Sequence, residues 1–64
     1  MENNVIKLMK QMESEFMLAC DNSEKFVGGN NSAGTRVRKS MQNIKNLAQE
    51  VRKEVQEQKN SVAV

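Results

Sequence analysis

Gly28-Gly29-Asn30-Asn31-Ser32 decides the fold. Two adjacent glycines end a helix readily, because either can take a positive φ and close the last turn. Asn30, Asn31 or Ser32 can then cap a second helix, its side-chain oxygen accepting from an otherwise unpaired backbone N–H. Asn30 is the preferred cap. A loop this short makes the helices it joins antiparallel. The expected organisation is one domain over residues 1–64, with a helix at about 3–27, a turn at 28–30, a second helix at about 31–59 and a frayed tail at 60–64.

Working outward, both flanks have helical period. Before the turn, Val5, Met9, Met12, Phe16, Ala19, Ser23 and Phe26 recur in steps of 4, 3, 4, 3, 4 and 3. That is the spacing of a packed helix seam. Leu8, Cys20 and Val27 widen the stripe. After the turn, Ala33, Val37, Met41, Ile44, Ala48, Val51 and Val55 recur in steps of 4, 4, 3, 4, 3 and 4. Leu47, and Met17 or Leu18, fall off these seams and suit a partner surface. The expected fold class is all-α, an antiparallel helical hairpin pairing into a four-helix bundle. Met9, Met12, Phe16, Met41, Ile44, Leu47 and Val51 are the expected interface of a homodimer or tetramer.

Composition agrees. A chain of 64 residues has little core of its own, and small scaffolds lean on disulfides, a metal or oligomerisation. One Cys forms no internal disulfide, and one Cys with no His builds no zinc site. Oligomerisation remains. No metal, cofactor or small-molecule substrate is expected. Nor is catalysis: the commonest general base near neutral pH is absent, and Cys20 beside the seam reads as a small buried hydrophobe. The glycine pair lacks the spacing and the following Lys-Ser/Thr of a phosphate loop. No apolar run nears the ~20 residues of a membrane span, and the N-terminus lacks the features of a signal peptide. An unpaired Cys fits a reducing compartment, the cytoplasm or the interior of a virus particle.

Charge is uneven. Up to Thr35, three Lys face five acidic residues, 3 − 5 = −2. From Arg36 on, seven bases face three acids, 7 − 3 = +4. Arg38, Lys45, Arg52 and Lys59 recur every seven residues and form one row, roughly 31 Å long at 1.5 Å per residue. Arg36, Lys39 and Lys53 sit beside it. Such a row can follow a nucleic-acid backbone, touching phosphates without reading bases. No aromatic residues interleave with it, which argues against a platform for stacked single strands. The competing reading is that the row pairs with Glu13 and Glu15 across the hairpin. The chain would then be a structural or assembly protein that oligomerises or docks onto a larger complex, as in a virion, without binding nucleic acid.

The stretch Gly29-Asn30-Asn31-Ser32-Ala33-Gly34-Thr35-Arg36-Val37-Arg38-Lys39-Ser40 resembles the histone H1-like protein family known from chlamydiae and other bacteria. Its members show a helix, a Gly-Asn turn, a run of small residues and an Arg-Val-Arg-like motif opening a long helix. Ile44, Leu47, Ala48 and Val51-Arg52-Lys53-Glu54 fit the continuation, so the likeness spans roughly Met9 to Lys59. The resemblance implies a histone-like, nucleoid-associated protein that binds DNA without strong sequence preference. Arg36, Arg38, Arg52 and Lys53 match its basic positions, and Gly29 and Asn30 its turn. Longer relatives carry a Lys/Ala-rich tail; no such tail is present up to Val64, so weak DNA contact strengthened by assembly is the expectation.

Overall fold

The computed structural model describes residues 2–62. Two helices account for most of them: α1 over Asn4–Val27 and α2 over Asn31–Val62. Asn3 caps α1, its side-chain oxygen accepting from the Val5 N–H at 2.8 Å. At the other end Gly29 takes φ 111°. Its N–H donates to the Phe26 carbonyl and the Asn30 N–H to the Lys25 carbonyl, each at 3.0 Å. This pair of bonds satisfies the last carbonyls of α1 and turns the chain back. Asn30 then caps α2, its Oδ1 accepting from the Ala33 N–H at 3.1 Å. One residue thus closes one helix and opens the next, the second role being the one expected from the sequence.

The helices form a flat ribbon, 54 × 19 × 11 Å. The thickness is that of a single helix, so the ribbon is one layer. Five hydrogen bonds cross the hairpin among the described residues; two join Asn3 to Gln58, and the other three join Asn4 to Glu54, Glu15 to Asn43 and Asn22 to Arg36 and share one register. Among those three, each pair of positions adds to 58, so any two positions with that sum lie at one height.

The helices meet through small and polar residues. Ala19, Asn22, Ala33 and Ser40 are buried. Val5, Leu8, Met12, Glu15, Val37, Ile44, Leu47, Ala48, Val51, Glu54 and Gln58 are half-buried along the same line. Near the turn, Phe26 lies over Gly34. A Cβ there would come within 2.6 Å of the ring's Cδ1, so glycine is what lets the aromatic ring lie so close to α2.

This seam differs from the sequence expectation. On α1, Leu8 and Glu15 take the places expected of Met9 and Phe16, which are 50% and 58% exposed. On α2, Met41 is 44% and Val55 37% exposed. Helices that meet through Ala and Ser approach closely; a line of Met and Phe would hold them apart and is turned to the flank. Leu47 does not stand off the seam but is half-buried in it. Cys20 is exposed rather than buried, because it projects about 100° from its buried neighbour Ala19. Of the expected frayed tail, Asn60–Val62 continue α2, and 63 and 64 lie outside the described residues.

Candidate nucleic-acid interface

Turning about 100° per residue, the seam divides the ribbon into two broad faces. One is polar: Gln11, Ser14, Glu15, Asn43 and Asn46 line a shallow depression there together with Leu47. The other is apolar: Ile6, Met9, Met12, Phe16 and Ile44 line a groove rimmed by Lys10 and Glu13. Met41 and Val55 fall on the side of Ile44. The expected oligomer residues Met9, Met12, Phe16, Met41 and Ile44 are therefore gathered on one face. Val51 sits in the seam, and Leu47 leans to the opposite face.

The bases of α2 do not form one patch. Arg38, Lys45, Arg52 and Lys59 run along its outer margin on the apolar-face side, and all four are exposed. Arg36 and Lys39 fall on the polar-face side, and Lys53 lies between the two groups. Arg36 is the one held in place. Its Nε donates to Asn22 Oδ1 at 2.9 Å, while Asn22 Nδ2 donates to the Leu18 carbonyl at 3.1 Å. Asn22 is 3% exposed, so this amide is fixed in the seam and aims the guanidinium. Sequence reading missed it, because the expected seam ran through Ser23 rather than Asn22; the available signal was its place two turns after Glu15, in the line from Leu8.

The competing reading's pairing of the row with Glu13 and Glu15 is not formed among the described residues. Glu15 accepts from Asn43 Nδ2 at 3.0 Å. The two ion pairs among the described residues are Lys10–Glu2 at 3.1 Å and Lys25–Asp21 at 3.2 Å, both outside α2. Also among the described residues, no cluster of His, Cys, Asp and Glu could hold a metal ion, and no helix is long and apolar enough to cross a membrane.

No curated protein and no solved structure matches the chain. A family model does: histone H1-like protein Hc1, over residues 6–61. The match takes in both helices, the turn between them and every base of α2, and that family packages DNA rather than catalysing reactions. The chain belongs to the histone H1-like protein Hc1 family, whose members bind DNA and associate with the nucleoid.

Proposed function

We propose that the chain binds duplex DNA without sequence preference, through phosphate contacts made by the outer margin of α2. Arg38, Lys45, Arg52 and Lys59 supply the row, with Arg36, Lys39 and Lys53 as secondary contacts. The observation that carries this reading is that none of these seven side chains makes an ion pair among the described residues, whereas Lys10 and Lys25 of α1 do. Unpaired exposed bases retain their full attraction for phosphate.

The spacing fits a polyanion. Seven residues advance the row by about 10 Å, close to three phosphates of one strand at about 3.4 Å each. A straight helix meets such a strand over a limited arc, and side chains of Arg and Lys have the reach to follow its curve. Nothing along the row is shaped to read bases, so sequence preference is weak. Four phosphate contacts give a log–log salt slope of about −3.6, or roughly a hundredfold loss of affinity between 50 and 200 mM salt.

The test is a salt series on random-sequence duplex DNA. Arg38→Glu with Arg52→Glu should abolish binding at low salt. Lys7→Glu with Lys25→Glu makes the same change of net charge on α1 and should weaken it far less. Equal losses from the two pairs, or none from the first, would overturn the assignment to α2.

A further inference from the structure

Between the two broad faces runs a third surface, the ridge of α2 that points away from α1. At about 100° per residue, Gln42 stands about 180° from the buried Ala33. Thr35, Asn46, Gln49 and Lys53 lie within about 40° of Gln42 around the helix, and all are exposed. The ridge is rich in hydrogen-bonding side chains and carries no acid.

The charges beside it change along its length. From Thr35 to Asn46 both margins are basic. Arg38 and Lys45 stand about 40° and 60° to one side of Gln42, and Lys39 and Arg36 about 60° and 120° to the other. Beyond Asn46 the first margin stays basic, with Arg52 and Lys59, and the second turns acidic, with Glu50 and Glu57. One phosphate strand accounts for the row. It does not account for Arg36 and Lys39, which project to the other side of α2.

We infer, resting on the phosphate reading, that residues 35–46 enter the major groove of duplex DNA edge-on. Arg38 and Lys45 then meet the phosphates of one strand, and Lys39 and Arg36 those of the other. The dimensions agree. The groove is about 12 Å wide and about 8.5 Å deep. The ribbon is 11 Å thick, because its two helices form one layer, so its α2 edge fits between the backbones. With Gln42 at the floor, Lys39 and Lys45 point to opposite walls. Arg36 stands higher, towards the rim. There Asn22 Oδ1 accepts from its Nε at 2.9 Å, which leaves the terminal amino groups of the guanidinium for a phosphate.

The segment spans about 18 Å of helix, or about five base pairs. Past Asn46, Glu50 and Glu57 face the second strand and are repelled by it, so entry stops there and only the row continues, on one strand. Thr35, Gln42 and Asn46 meet base edges at the floor. An amide both donates and accepts, and every base pair offers both kinds of partner in the major groove, so these contacts bring little sequence preference.

The experiment compares plain duplex with duplex in which glucosylated 5-hydroxymethylcytosine replaces cytosine. That DNA keeps every phosphate and fills the major groove with sugar. For the full chain, six phosphate contacts on plain duplex give a log–log salt slope of about −5.4. The glucosylated duplex should return the slope to about −3.6, the value for the row alone, and weaken low-salt binding about tenfold. Lys39→Ala should weaken binding to plain duplex and leave binding to the glucosylated duplex unchanged, whereas Arg38→Ala should weaken both. Equal affinity and slope of the wild-type chain on the two duplexes would refute groove entry and leave the phosphate reading standing. Absence of binding to plain duplex at low salt would sink both.

Discussion

The two ends of the ribbon are built differently. At the loop end lie all four buried side chains, Ala19, Asn22, Ala33 and Ser40, together with the doubly hydrogen-bonded turn and the contact of Phe26 with Gly34. At the open end nothing is buried among the described residues. Val5, Leu8 and Val51 are half-buried, and exposed amides tie the helices, with Asn3 Nδ2 donating to Gln58 Oε1 and Gln58 Nε2 donating back to Asn3 Oδ1, each at 3.0 Å. Small residues allow the backbones near the loop to approach and exclude water. Larger ones hold the open end apart, where solvent competes for every hydrogen bond. Local stability should therefore fall from loop to open end.

The largest effect is expected from Ala33→Leu. The site is 0% exposed, so the added carbons must push α1 away or strain the turn. Overpacking of this kind costs about 1–3 kcal/mol, which lowers the thermal midpoint of so small a domain by about 10 °C. Calorimetry at fixed protein concentration measures it. An unchanged midpoint would mean that the loop end is not closely packed.

A smaller loss follows from Asn22→Ala, which removes the acceptor of the Arg36 Nε–H. Because Arg36 is itself exposed, water can replace part of that bond, and the cost is about 1 kcal/mol in urea unfolding. Full stability in this variant would deny the buried amide any role in joining the helices.

The smallest effect belongs to Gln58→Ala at the open end, within about 0.5 kcal/mol. Hydrogen exchange should speed for amides near position 58 and stay unchanged near Ala33. A loss as large as that of Ala33→Leu would erase the contrast between the ends.

Much of this was legible in advance. Gly28-Gly29-Asn30 placed the turn and the cap, since positive φ and an amide acceptor are local demands that few residues meet. The periodicity placed both helices. The orientation of the seam was not legible. Val5, Met9, Met12, Phe16 and Ala19 satisfy helical spacing as well as Val5, Leu8, Met12, Glu15 and Ala19 do, and hydrophobicity alone prefers the first set. Two adjoining faces, one against α2 and one open, merge into a single stripe when only one chain is read. Cys20 was misplaced for the same reason. Of the candidate interface, the seven bases were legible as charges, but their division around α2 and the anchoring of Arg36 by Asn22 depend on which way the helix is turned.

Sequence by itself determined two helices, their antiparallel order, the uneven charge and the likeness to histone H1-like proteins. These rest on local conformational preference and on composition, which need no partner. The tertiary structure alone decided which stripe of α1 meets α2. That choice is made by how closely Ala19, Ala33 and Ser40 let the backbones approach, and closeness is a property of two helices together.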